Sequence, residues 1–342
     1  MRRPAIWKLL LLLAAFAALT YWAAQTVDWS QLLKELAAAS PFDIAVMLVG
    51  WIAVLCLRPL RMLFLLRATS REISSEYGPV WAAHIVGMGT NSVTPMRGGD
   101  VVMALIMNRR LPVSVPQALS VIIVDRACDT ATVVAIFLGA LVFLPSATAW
   151  SSHAALVLLA GLVLGIAAVA VMVKVREPLL AFLGDRLARY RFGVRLHTMA
   201  RDLLSGLGTL QDLRLALIVF LLSVALWGAT VAAYWFGLHA VWHGGSVAAA
   251  AFASAVVALT FVVPLAPGGI GVFQAAAVFA LTAFGIPVEP ALAFAIISHA
   301  LQLVTVLVLA ALALRGLAMF PARVAAPGAG EPRTPGLASR IP

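Results

Sequence analysis

Charge is scarce in this chain. Asp, Glu, Lys and Arg make up 11% of its 342 residues, where a soluble domain carries about a quarter. Too little polar surface is available to coat a water-soluble fold of this length, which excludes a soluble enzyme or binding module. Cysteine is nearly missing: Cys56 and Cys128 occur, each inside an apolar run. That argues against a disulfide scaffold and a cysteine-ligated metal site. No P-loop, Cys-x-x-Cys, His-Glu-x-x-His or Gly-x-Ser-x-Gly pattern is present, so the chain reads as no enzyme and no cofactor is expected. A long polar interval is lacking too. The longest, 174–214, has room for one or two surface helices and not for a separate soluble domain.

What fills the chain is apolar: 63% of residues, with a mean hydropathy of +1.02. Backbone polar groups find no water in lipid, so such a chain crosses the bilayer as helices, and the fold expected is an all-α integral membrane protein. The net charge of +10 does not imply nucleic acid. With the N-terminus cytoplasmic, Lys34 is left as the single basic residue on the far side, which is the positive-inside asymmetry of a membrane protein.

The chain then reads in order. Residues 9–24, behind Arg2, Arg3 and Lys8, form an uncleaved first span with Tyr21 and Trp22 as anchors; a cleaved signal peptide is the alternative. Residues 27–40 make an amphipathic outer surface helix, and 42–66 a second span ending among Arg58, Arg61, Arg67 and Arg71. Residues 80–95 and 101–107 fall short of the roughly 20 apolar residues that a crossing needs. Joined by the TNSVTPMRGGD stretch at 90–100, they suit a re-entrant hairpin. Residues 116–144 form the third span, carrying Asp125, Arg126 and Asp129, and 154–173 return inward. The basic amphipathic segment 174–214, with Arg186, Arg189, Arg191, Arg195 and Arg201, is expected on the cytoplasmic surface against anionic lipid. Residues 215–242 cross outward, 247–264 and 270–284 form a second broken hairpin, and 290–314 cross inward. This gives one transmembrane domain over 1–320, a polytopic bundle of about six full spans plus two broken re-entrant hairpins. Both termini are cytoplasmic, and a disordered tail occupies 321–342.

The two hairpins belong to an internal repeat. Unit A, about 81–141, and unit B, about 252–312, each run apolar stretch, Pro/Gly-Gly break, apolar stretch, proline loop and long polar-bearing span. One constant offset places Arg126 on His299, Asp129 on Gln302 and Ala118 on Ala291. An odd number of spans separates the hairpins, so the units insert with opposite topology, as in transporters whose sites lie near the midplane between inverted repeats.

Broken helix at membrane depth survives where protein or a polar cavity satisfies it. The two breaks are therefore the expected walls of a binding site: Asn91, Pro95, Arg97, Gly98, Gly99 and Asp100 on one side, Pro267, Gly268, Gly269, Gly271 and Gln274 on the other. The N–H groups of each restarting helix would attract an anion such as a phosphate headgroup. Arg126 lies about nine residues, near 14 Å, into its span, close to the midplane of a core about 30 Å thick. It needs partners, from Asp125, Asp129 or Asp100 with Arg97. The alternative is a buried ion-pair cluster that only fixes packing. His299 could shuttle protons or could be a packing residue, Gln302 completes the second polar cluster, and Asn91 is expected to satisfy the broken backbone. His239 and His243, spaced four apart, read as interfacial histidines on one helix, and Gly161 with Gly165 as a close helix contact.

At these residues the chain resembles the lysylphosphatidylglycerol synthase transmembrane region, or flippase-like domain family. The matching pieces are Asn91, Thr94-Pro95, Gly99-Asp100, Asp125-Arg126, Asp129, Pro267-Gly268-Gly269-Ile270-Gly271 and Gln274, over roughly 6–315. Arg58 and Arg61 resemble a further basic cluster of that family. The sequence departs from the pattern at Gln274, where an acidic residue is common, and at His299, where an arginine is common. The resemblance implies a bacterial inner-membrane protein that moves lipids between leaflets, with anionic lipids and lipid or glycolipid biosynthetic enzymes as partners. Some members carry a soluble aminoacyl-transferase domain, absent from this sequence, so lysine transfer is not implied. Two functions follow: a flippase or transporter of an anionic lipid or polyprenyl-phosphate-linked glycolipid, or a non-transporting membrane partner in glycolipid or hopanoid biosynthesis.

Overall fold

The computed structural model describes residues 27–69, 77–94, 98–145, 212–261 and 267–319 continuously, with isolated helical positions between 153 and 202. The expected first span, the tail, Pro95, Arg97, Gly165 and most of the basic segment 174–214 lie outside the described residues. All regular structure among the described residues is helical.

Local chemistry sets the helix starts. Asp28 opens α1 (Trp29–Ala38), its carboxylate accepting the Ser30 and Gln31 N–H groups at 2.9 and 3.1 Å. With Leu32 buried and Trp29 and Leu33 exposed, α1 is the amphipathic surface helix expected. Ser40 caps α2 (Pro41–Thr69), its hydroxyl accepting the Asp43 N–H. Pro59 inside α2 removes one ladder bond between Arg58 and Arg61. The first hairpin is α3 (Tyr77–Val93) and α4 (Gly98–Arg110). Ser114 and Gln117 close a reciprocal capping box at the start of α5 (Val115–Leu141). Then follow α6 (Leu213–His239), α7 (Val247–Thr260), a short 3-10 turn at Pro267–Gly269, α8 (Val272–Thr282) and α9 (Val288–Met319).

Length separates these helices into two groups. α2, α6 and residues Val288–Leu317 of α9 are long and apolar enough to cross a membrane. α5 has 27 residues and a similar reach of about 40 Å, but carries the charged triplet. The paired helices α3 with α4 and α7 with α8 have 17, 13, 14 and 11 residues, each below the roughly 20 that a full crossing takes. His243 lies beyond the end of α6, so it does not share a helix with His239 as its spacing suggested. Their rings still meet at 4.6 Å, and His239 faces the Asp43 carboxylate at 3.3 Å.

Lipid removes most of the hydrophobic drive between helices, so close packing must hold the bundle. α2 and α6 approach through Gly50, where an added Cβ would sit 2.9 Å from the Ala233 side chain. An aromatic centre follows: Tyr234 lies 5.9 Å from Trp51 and 5.4 Å from Phe294, with Phe273 alongside. On the other side of the bundle, Met62, Leu65 and Leu66 of α2 pack with Met103 and Met107 of α4 and Val121 of α5.

Candidate functional site

The first hairpin is closed tightly by its own residues. A Cβ on Gly99 would collide with the Gly87 carbonyl and with the Asn91 side chain, so α3 and α4 touch backbone to backbone. Asn91 uses both halves of its amide: Oδ1 accepts the Gly99 N–H at 2.8 Å and Nδ2 donates to Asp100 Oδ1 at 3.1 Å. It satisfies the broken backbone, as its position suggested.

The second break needs glycine. Gly268 and Gly269 have φ of 61° and 71°, the left-handed region open to glycine at little cost. Gln274 sets the order of the network behind them. Its Oε1 accepts the Gly271 N–H at 2.8 Å, so its NH2 faces His299 Nδ1 at 3.1 Å. The imidazole accepts there, carries its proton on Nε2, and donates to the Gly268 carbonyl at 2.9 Å. Phe273 stacks flat on the ring, centroids 4.5 Å apart. A further proton on His299 would set two donors against each other, so the geometry supports the packing alternative over a proton shuttle. Gln302 is half-buried and outside this network.

The two breaks meet. A Cβ on Gly268 would lie 2.9 Å from the Ser92 carbonyl of α3, the residue next to Asn91. Asn91 leads in turn to Asp100, whose Oδ1 accepts from Arg126 Nη2 at 3.0 Å.

Behind that pair lies a deeper ion cluster. Arg61, with no exposed side-chain surface, donates to Asp125 Oδ1 at 2.8 Å, the Asp125 carbonyl at 3.2 Å, Asp129 Oδ1 at 2.7 Å and Ser223 Oγ at 2.9 Å. Arg58 takes the other Asp129 oxygen at 2.6 Å, and Trp227 Nε1 donates to Asp129 at 3.3 Å. One helical turn separates Arg58 from Arg61 and Asp125 from Asp129, so one face of α2 meets one face of α5.

The structure decides between the partners the sequence left open. Of the three carboxylates expected as partners of Arg126, Asp100 is the one it pairs with; Asp125 and Asp129 are taken by Arg61 and Arg58. Arg58 and Arg61, which the resemblance pointed to as a further basic cluster, hold both of these aspartates. The expected bare amides are partly filled, since side chains of the protein occupy the Gly99 and Gly271 N–H groups. The described ionic groups, three arginines and three aspartates, balance to zero formal charge.

Ser223, Trp227 and His84 were missed. Each is a lone polar residue in an apolar run, and His84 sits at i, i+3, i+7 spacing with Gly87 and Asn91. Beside the ion cluster, α2, α3 and α9 enclose an apolar groove of about 370 Å³ lined by Ile52, Leu55, Trp81, Leu301, Val304 and Val308. Leu55 is one turn from Arg58, and Leu301 two residues from His299. Among the described residues no group of three or more His, Cys, Asp or Glu could hold a metal.

Long apolar helices, two pairs of shorter ones joined by breaks in contact, and buried ions between them define a multi-pass helical membrane protein with a polar site inside the bundle. Residues 6–310 match the model of the lysylphosphatidylglycerol synthase TM region, and the chain belongs to that family. No curated protein matches this sequence.

Proposed function

We propose that this protein moves an anionic lipid, such as a phospholipid or a polyprenyl-phosphate-linked glycolipid, between the leaflets of a bacterial inner membrane. The headgroup passes where the two broken hairpins meet, beside Arg126 and Asp100, while the tails stay in the bilayer along the apolar groove between α2, α3 and α9. The observation that carries this reading is the contact of Gly268 with the Ser92 carbonyl, which brings both breaks to one place. The architecture it implies is six full spans, two hairpins inserted from opposite sides as inverted repeats, and cytoplasmic termini. With no nucleotide-binding motif in the sequence, energy comes from an ion gradient or from the lipid gradient itself, and no covalent chemistry is involved.

The test is translocation of a headgroup-labelled anionic lipid in proteoliposomes. Wild-type protein should accelerate it well above empty vesicles, and Arg126→Ala should remove most of that gain; a wild-type rate no faster than lipid alone overturns the reading. The charge balance of the ion cluster favours a second function, a non-transporting partner of glycolipid or hopanoid enzymes. On that function Arg126→Ala is silent, whereas Arg189 and Arg195 changed together abolish recovery of partners.

A further inference from the structure

His84 stands in the middle of α3 with no exposed surface, and neither ring nitrogen has a hydrogen-bond partner. Buried polar side chains almost always find one, so this imidazole marks a place where something polar belongs. One turn along the same face of α3, Gly87 abuts the Gly99 carbonyl, next to the Asp100 that holds Arg126. The charges that act on His84 are Arg58 and Arg61 of α2 with Arg126 and Asp129 of α5. On α4, which closes over the same face of α3, the acidic group is Asp100, held by Arg126. α9 packs on the other side of α3 through Val306 and Ala310, and its titratable groups are Glu289, His299 and Arg315. Arg58 Nε and Arg126 Nε are also buried without partners. Open donor edges on α2 and α5 thus accompany an open imidazole on α3.

Charge balance then says what can enter. Among the described residues, three arginines and three aspartates sum to zero, so a monoanionic phosphate headgroup would bring an uncompensated negative charge to these groups, which is unfavourable at a buried site. Arginine is already fully protonated and can supply nothing more. Histidine is the side chain whose ordinary titration lies near neutral pH, and protonation turns its acceptor nitrogen into a second donor.

We propose that His84 takes up one proton from water when an anionic phosphate headgroup enters beside Arg58 and Arg126, and releases it when the headgroup leaves. This rests on the lipid-transport reading above and adds its coupling: anion and proton move into the site together, keeping it neutral.

Calorimetric titration of the full-length protein in detergent with short-chain phosphatidylglycerol tests this, at pH 7 in two buffers of different ionisation enthalpy. Wild-type protein should take up close to one proton per lipid bound. His84→Gln and His84→Asn should bind about tenfold more weakly with no uptake and little dependence on pH. Inorganic phosphate is the second titrant: uptake with lipid alone assigns the site to a headgroup, and uptake with both assigns it to the phosphate group. Lipid binding without proton uptake, or uptake unchanged in the variants, overturns the role of His84 while leaving the anion site standing. Absence of any binding to wild-type protein removes the anion site and this proposal together. Should neither variant fold, ¹⁵N-histidine spectra of the wild type decide the matter. A new imidazolium signal on adding lipid supports the proposal, and six unchanged histidine signals overturn it.

Discussion

Arg61 and Arg126 sit in one ionic cluster with different surroundings, and replacing them should have different effects. Arg61 is wholly enclosed and makes four hydrogen bonds across three helices. Arg61→Ala strands Asp125 without its side-chain partner, and removing one member of a buried pair costs about 3–5 kcal/mol. Arg126 keeps 29% of its side chain exposed and makes a single ion pair, to an Asp100 that is 21% exposed, so Arg126→Ala should destabilise the protein less than Arg61→Ala. Thermal unfolding followed by size exclusion should therefore show Arg61→Ala aggregating many degrees below wild type and Arg126→Ala closer to it. Similar losses for both would mean that burial does not rank them. Gln274 gives a second comparison at this scale. Gln274→Glu keeps the oxygen that accepts from Gly271 but loses the NH2 that orients His299, so the imidazole should change tautomer or protonation, visible as a shift of its ¹⁵N signals.

At the scale of elements, the breaks depend on glycines that hold other backbone at close range. Gly99→Ala pushes a methyl into the Gly87 carbonyl and Asn91, and no rotamer can relieve it, because both obstacles are fixed by the hairpin itself. Gly268→Ala adds left-handed backbone strain of about 1–3 kcal/mol to a collision with the Ser92 carbonyl. Both variants should lower the yield of monodisperse protein severalfold, and Gly78→Ala, where nothing lies within 4 Å of the added carbon, should match wild type. A Gly268→Ala protein of wild-type stability would show that the two hairpin tips are not in contact in the membrane. The same glycines were legible in the sequence as breaks. The surfaces they press against were not, because Ser92 and Gly268 are neighbours through the packing of α3 on the 3-10 turn and share no sequence pattern.

For the whole molecule, the charge distribution sets an orientation that can be measured. With Cys56 and Cys128 replaced by Ala, a Lys34→Cys protein in intact cells should react with a membrane-impermeant maleimide, and an Arg315→Cys protein should react after lysis only. The reverse pattern would invert the molecule and with it the leaflet from which each hairpin enters. Two long helices, α2 and α6, packed through Gly50 and joined at one end by the Ser40 N–H to Ala240 carbonyl bond at 2.9 Å, form the frame. The short hairpins and α9 pack around that frame, so the polar site lies between two long helices and shorter elements whose breaks leave fewer ladder bonds.

Several features follow from the sequence alone. Long continuous apolar runs and the scarcity of charge point to a helical membrane protein, since in lipid such a run satisfies its own backbone as a helix, and the proline and glycine breaks mark where those helices must stop. Capping residues such as Asp28 and Ser114 place helix starts for equally local reasons. The pairing of the charges was decided by tertiary structure: Asp125 and Asp129 have an arginine between them in the chain, yet α2 supplies their partners and Arg126 turns to α4. Helix periodicity says which side chains share a face, but the neighbour of that face is chosen by packing. For the same reason the solitary His84, inconspicuous in an apolar run, became a candidate for function once its neighbours were known.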